Sequence, residues 1–156
     1  MPTIQPEQID NDFEIAIVVS IFNEEITENL WRGAMKVLLS EGFSEDQIVT
    51  VWVPGAIEIP LMVQQLLASG RFSVALALGA VIRGETSHYD YVCQQVSFGC
   101  QKVALEAEIP VIFGVLTTEN ERQAFARSSD NVQNKGAESA HAALQFLSVL
   151  QQAEML

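Results

Sequence analysis

Four continuous runs of apolar, mostly β-branched residues constrain the fold of this chain more than any other feature. They are IAIVVSIF (15–22), IVTVWVP (48–54), VALALGAVI (74–82) and IPVIFGVL (109–116). Because apolar residues follow one another without alternation, we expect strands that are buried on both faces, as in a parallel sheet covered by helices.

Helical patterns lie between these runs. Asn23 is a favoured N-cap for the first helix, which Gly42 can close. Further helices are predicted over about 57–69, 87–107, 120–127 and 137–151. The alternation predicts one α/β domain over residues 13–156, a flavodoxin-like three-layer α/β/α sandwich with a four-stranded parallel sheet. Residues 1–12 are predicted to be an N-terminal arm, either mobile or lent to a neighbouring subunit as a strand.

Composition and charge limit the kinds of molecule that this chain can be expected to bind. Only 18% of the 156 residues are charged and 49% are apolar, so we expect sister subunits to cover part of the surface. A net charge of −12 argues against nucleic acid and anionic membranes. No apolar run is long enough to span a membrane, and the N-terminus lacks the pattern of a signal peptide, which predicts a cytoplasmic protein.

The two cysteines, Cys93 and Cys100, have the spacing of residues on one helix face. This spacing fits neither a zinc site nor a redox pair. We interpret them as small apolar residues in a reducing compartment.

The segment GAVIRGETSHYDYV (79–92) follows the third apolar run, at the sheet edge where ligands of open α/β sheets bind. It has the spacing of a phosphate-binding P-loop, but Glu85 stands where that loop needs lysine. Two interpretations stay open: an anion site on the amides of Glu85, Thr86 and Ser87 at a helix N-terminus, or ordinary turn and cap residues. His88, in the first helical turn, suits proton transfer near neutral pH. His141 is interpreted as a structural helix residue.

Other candidate site residues come from the same edge. Phe22 and Phe113 lie near strand ends, where they either stack on a flat ring or belong to the core. Glu58 is either a first-turn helix charge or an acceptor for a ligand. Arg127 and Lys135 bracket a polar loop, and Arg127 has the geometry to bind a phosphate.

Five motifs in order make the chain similar to the lumazine synthase family over about residues 13–150. They are FN (22–23), VPGAIEIP (53–60), GAVIRGETSHYDYV (79–92), PVIFGVLTTEN (110–120) and NKG (134–136). The resemblance implies the penultimate step of riboflavin biosynthesis. In that step 5-amino-6-(D-ribitylamino)uracil condenses with 3,4-dihydroxy-2-butanone 4-phosphate, releasing phosphate and water and giving 6,7-dimethyl-8-ribityllumazine. It implies no metal and no organic cofactor.

The resemblance also implies roles for individual residues. His88 would transfer protons, and Phe113 would come from an adjacent subunit. The pyrimidine and ribityl groups would contact Phe22, Ala56, Ile57, Glu58, Ala80, Val81, Ile82 and Phe113. The phosphate would contact Glu85, Thr86, Arg127 and Lys135.

Four positions depart from the usual family pattern. Ile21 stands where arginine usually precedes the FN pair, and Ile57 replaces a frequent aromatic residue. Asn131 and Gln133 replace a lysine and a glycine in the loop before NKG. We therefore expect an active enzyme with weaker substrate binding.

Assembly follows from the resemblance as an expectation. Members form pentamers, and some assemble twelve pentamers into a hollow 60-subunit shell. Pentamer-only members often carry extra residues between the positions of Arg127 and Lys135, and this chain has none, which favours the shell. Riboflavin synthase is the protein partner implied.

Two alternatives stay open. The first is a non-catalytic flavin- or lumazine-binding member of the same fold, against which the retained His88 and Arg127 argue. The second is a shell protein whose main task is encapsulation.

Overall fold

The core of the chain is a sheet of four parallel strands, seen in a computed structural model of residues 1–156. The strands are β1 (Glu14–Ser20), β2 (Ile48–Val53), β3 (Phe72–Ile82) and β4 (Val111–Thr118). They lie in the order β2-β1-β3-β4, and every neighbouring pair is parallel. The predicted parallel sheet is confirmed.

Five helices cover both faces of this sheet, as continuous apolar strands require. They are α1 (Glu24–Ser40), α2 (Ile59–Leu67), α3 (His88–Ala107), α4 (Glu121–Ser128) and α5 (Lys135–Glu154). One core cluster joins the sheet to α1, α4 and α5 through Leu30, Ala124 and Ala140, and the other joins it to α2 and α3 through Val63 and Val96. The three-layer α/β/α arrangement is therefore confirmed.

The differences from the sequence prediction lie at element ends. β1 ends at Ser20 rather than at residue 22, because the backbone enters a left-handed conformation at Asn23 and turns into α1. α5 begins at Lys135 rather than at residue 137, because the Asn134 side chain accepts a hydrogen bond from the Ala137 amide and caps the helix. Gly42 follows α1 with a φ of 94°, as expected of a closing glycine.

Asn134 also fixes the loop between α4 and α5 onto α1. Its side chain is 4% exposed, and its Nδ2 lies 2.7 Å from the Ser128 carbonyl oxygen and 3.2 Å from that of Asn29. Two glycines make this approach possible, because a Cβ on Gly33 would lie 2.1 Å from Asn134 Oδ1 and one on Gly136 would lie 1.8 Å from the Leu30 carbonyl oxygen. The position of Lys135 is thereby tied to α1.

Residues 1–12 form no helix or strand and lie against their own chain. The Glu7 amide donates to Ser148 Oγ at 3.1 Å, and Gln152 Nε2 donates to the Gln5 carbonyl at 2.8 Å. Their separation from a domain over 13–156, and the lending of the arm to a neighbour, stay predictions.

Both cysteines are free. Cys100 is buried, and its burial raises the pKa of the thiol to about 12. None of the helices combines the length and apolar character needed to cross a membrane.

Candidate active site

A cavity of about 390 Å³ opens at the carboxyl ends of β1, β2 and β3. It brings together nine of the predicted site residues: Phe22, Ala56, Ile57, Glu58, Ala80, Val81, Ile82, Thr86 and His88. The loops that follow three different strands therefore meet at one site, as the geometry of an open parallel sheet predicts.

Phe22 forms an aromatic wall of this cavity and does not belong to the core. The Phe22 amide donates to the Pro54 carbonyl at 3.0 Å, and the side chain is 69% exposed. The backbone is therefore held while the ring stays available to a ligand. Ile57, 40% exposed, lines the same cavity.

The opposite wall is backbone and carboxylate. Ala80 and Val81, at the end of β3, line the cavity although little of either residue is exposed. Glu58 ends a short 3₁₀ turn before α2, is exposed, and forms no ion pair or hydrogen bond through its carboxylate. An unpaired carboxylate beside an apolar ring is suited to accept hydrogen bonds from hydroxyl groups.

The loop between β3 and α3 presents a row of free amides. The backbone N–H groups of Gly84, Glu85, Thr86 and Ser87 donate to no protein atom, whereas the Arg83 amide is bound to the Thr118 carbonyl at 2.9 Å. Because α3 is 20 residues long and begins directly after this loop, its positive end adds to the attraction for an anion.

His88 is the first residue of α3 and is exposed at the mouth of the cavity. Its amide donates to Thr86 Oγ1 at 3.3 Å, and its imidazole forms no hydrogen bond within the chain. Both ring nitrogens are therefore available to a ligand.

A second cavity, of about 630 Å³, holds Phe113, Arg127 and Lys135. Arg127 donates only to the Gln123 carbonyl, at 3.0 Å, and forms no ion pair with a carboxylate. Lys135 Nζ lies 2.8 Å from Glu138 Oε1. Within one chain these residues line a different cavity from His88, so the structure does not bring all predicted site residues together.

Two side chains of the cavity lining were not predicted from the sequence, and Gly55 and Gly84 complete that lining. Tyr89 and Val92 line the cavity next to His88, on the face of α3 that turns toward the sheet. Val92 lies four residues after His88 and three after Tyr89, and this helical spacing is the signal that could have found them. Burial raises the pKa of the Tyr89 phenol, so this side chain stays protonated at neutral pH.

Arg83 is a cation beside the amide loop that is already paired. Its Nε lies 2.7 Å from Glu119 Oε2 and its Nη2 lies 3.2 Å from Asp90 Oδ1, while its guanidinium covers the Tyr89 ring at 4.3 Å. The hydrogen bond to Glu119, and then that to Asp90, raise the pKa of Arg83. Arg83 thus fastens the loop to the end of β4 rather than offering a free charge.

No group of three or more His, Cys, Asp or Glu side chains in the chain is arranged to hold a metal ion.

A parallel α/β sandwich with an aromatic wall, a free carboxylate and a row of unpaired amides at its carboxyl edge defines an α/β protein whose site is suited to a flat ring and to an anion. The family model for 6,7-dimethyl-8-ribityllumazine synthase matches residues 12–151. The chain belongs to this family.

Curated relatives match over nearly their whole length. The 6,7-dimethyl-8-ribityllumazine synthases of Coxiella burnetii strains CbuG_Q212 and RSA 493 are each 53% identical over 146 residues, which cover 94% of this chain and 97% of the relative. The enzyme of the Dugway strain is 52% identical over the same shares.

Proposed function

We propose that this chain is a transferase that makes 6,7-dimethyl-8-ribityllumazine. This reaction is the penultimate step of riboflavin biosynthesis. It condenses 5-amino-6-(D-ribitylamino)uracil with 3,4-dihydroxy-2-butanone 4-phosphate and releases phosphate and water. The observation that carries the proposal is 53% identity to enzymes of this name over 94% of the chain. The cavity that joins an aromatic wall to a row of free amides supports it.

The flat pyrimidine would stack on Phe22, with its polar edge on the backbone of Ala80, Val81 and Ile82. The ribityl hydroxyls would donate to Glu58 and lie along Ala56 and Ile57. Support comes from the exposure of the Phe22 ring and from the absence of any protein partner for the Glu58 carboxylate.

The phosphate of the second substrate would rest on the amides of Glu85 and Thr86, with Arg127 and Lys135 closing over it. The 5-amino nitrogen would then attack the ketone carbon, which loses its oxygen as water to form the imine. Loss of a proton from the hydroxyl-bearing carbon would expel phosphate from the next carbon and leave an enol, which would tautomerise to a methyl ketone. Attack of the ribityl-bearing nitrogen on that carbonyl would close the ring with loss of a second water. His88 would move protons between these steps, and holding the two reactants together would supply much of the acceleration.

Two observations support an active site shared between neighbouring copies. Phe113, Arg127 and Lys135 line a separate cavity from His88 within one chain. In addition, Tyr91, Phe98 and Leu105 are 61%, 70% and 68% exposed. They recur every seven residues along α3, which places an apolar stripe on one helix face, as subunit contacts require.

We propose a pentamer, with twelve pentamers forming a 60-subunit shell, because no extra residues separate Arg127 from Lys135. Analytical ultracentrifugation should give a mass near sixty chains of 17.2 kDa. A single species near five chains would contradict the shell and leave the pentamer standing.

Riboflavin synthase, which consumes the lumazine product, is the protein partner we propose. The two free cysteines support a cytoplasmic location.

Arg127→Ala is expected to raise the KM for the butanone phosphate by about ten- to a hundredfold, because a charge-assisted hydrogen bond contributes about 1.5–3 kcal/mol. The kcat should change less. Arg32→Ala is the matched control, since Arg32 is an exposed arginine of α1 bound only to Glu28. An unchanged KM for the phosphate substrate would exclude this role for Arg127.

The activity itself is tested by mixing purified protein with both substrates and following the lumazine product by absorbance or fluorescence. The rate must be compared with the slow uncatalysed condensation. Acceleration that saturates in both substrates is expected. Tight flavin or lumazine binding without acceleration would instead support a non-catalytic binding protein. The loss of catalysis would then be attributed to the departures from the family pattern at Ile21, Ile57, Asn131 and Gln133.

A further inference from the structure

Asn23 has an unusual backbone for a residue that is not glycine. Its φ is 62° and its ψ is 47°, in the left-handed region that L-residues rarely occupy. It precedes α1 as the N-cap, but its side chain makes no capping hydrogen bond. Capping, which the sequence suggested, therefore does not explain why asparagine stands here.

The Asn23 side chain instead crosses to a neighbouring strand. Its Nδ2 donates to the Ala80 carbonyl oxygen at 3.0 Å. The pairing of β1 with β3 stops at Val19 and Leu78, while β3 continues to Ile82. The asparagine amide thus supplies a donor to β3 just beyond the point where the neighbouring strand has ended.

This hydrogen bond joins the two walls of the cavity. On one side the hydrogen bond starts from Asn23, which directly follows Phe22, and the Phe22 ring is 69% exposed. On the other side it holds Ala80, which is 3% exposed and begins the backbone segment that lines the cavity up to Ile82. The distance between ring and backbone edge is therefore set through Asn23.

We infer that Asn23 is a positioning residue that fixes the Phe22 ring at stacking distance from the backbone edge that reads the pyrimidine. The inference rests on the proposed function. Asn23 acts through Phe22 and Ala80 and needs no contact with the substrate. Its left-handed backbone turns the chain into α1 immediately after Phe22, and its side chain then anchors that turn to β3.

Two substitutions separate the side chain from the backbone. Asn23→Gly removes the donor but accepts the left-handed conformation without strain. Asn23→Asp also tolerates that conformation but turns an acceptor toward the Ala80 carbonyl. Asn11→Asp is the matched control, because Asn11 Nδ2 also donates to a backbone carbonyl, that of Gly42 at 2.7 Å, outside the cavity.

Steady-state kinetics with both substrates should show a selective effect. In Asn23→Gly the KM for ribitylaminouracil is expected to rise about five- to tenfold. This factor corresponds to the free energy that one hydrogen bond contributes. Asn23→Asp should give a larger rise. The KM for the butanone phosphate should stay within about twofold, and Asn11→Asp should match the unsubstituted chain. A residue needed only for folding would shift both KM values and the unfolding midpoint together.

Calorimetric titration with 6,7-dimethyl-8-ribityllumazine gives a second readout that does not depend on turnover. A weaker Kd in Asn23→Gly, with an unfolding midpoint close to that of the Asn11→Asp control, supports the inference even if turnover is absent. Equal Kd values for Asn23→Gly and the unsubstituted chain overturn it while leaving the proposed function intact. If the unsubstituted chain neither binds the lumazine nor accelerates the condensation, the proposed function and the inference fall together.

Discussion

His88→Ala is expected to lower kcat by about a hundredfold, at the lower end of the range for general acid–base catalysis. The lower end applies because the condensation also proceeds without a catalyst, and part of the acceleration comes from holding the reactants together. The KM values should change much less, because the proposed phosphate ligands are the free amides of the preceding loop rather than the imidazole.

The control for this prediction is His141→Ala, which removes the other histidine of the chain. His141 is exposed on α5 and lines a different cavity beside Glu7 and Glu41. It should leave both kcat and KM unchanged. If His88→Ala instead raised KM for the butanone phosphate at constant kcat, the imidazole would be a phosphate ligand and not a proton carrier.

Most of the fold could be predicted from the sequence because its strongest signals are local. Continuous runs such as VALALGAVI specify strands buried on both faces, and parallel strands require helical crossovers. Element ends were harder to predict, because they depend on contacts distant in sequence. The start of α5 depends on Asn134, which binds the Asn29 carbonyl of α1 across 105 residues.

The sequence predicted most of the residues that line the candidate site, but it did not predict how they are grouped in space. The rule that ligands bind at carboxyl ends of strands selects Phe22, Glu58 and His88, and the structure brings these three to one cavity. Sequence alone left open whether Phe22 was core or wall, which depends on how β1 ends. It also could not show that Arg127 lines a different cavity, because that follows from packing of α4.

Asn23 and Arg83 show why residue type alone misleads. Asparagine before a helix favours capping, yet the left-handed backbone at Asn23 directs its amide to Ala80 instead. An arginine beside a row of free amides suggests a ligand for an anion, yet Arg83 is held by Glu119 and Asp90. In both cases a partner from a distant segment decides the role.

Gly136→Ala is expected to destabilise the chain by more than about 3 kcal/mol, beyond the usual cost of overpacking a core. Gly136 is buried in the first turn of α5, and a Cβ there would lie 1.8 Å from the Leu30 carbonyl oxygen and 2.6 Å from its carbon. These are backbone atoms of α1, so no side-chain rotation can relieve the clash. The two helices would have to separate, which would also move Lys135 away from its cavity.

Urea unfolding followed by circular dichroism, at one fixed protein concentration, measures this loss. Gly84→Ala is the matched control, because a Cβ there meets nothing within 4 Å and the backbone is not left-handed. It should change the free energy of unfolding by less than about 0.5 kcal/mol. A domain of this size has only about 5–15 kcal/mol of stability in total, so the loss at Gly136 is a large share of it. If the free energy of unfolding of Gly136→Ala lay within about 1 kcal/mol of that of the unsubstituted chain, α1 and α5 would be able to separate at little cost in stability. The close contact at Gly136 would then not be what holds Lys135 in place.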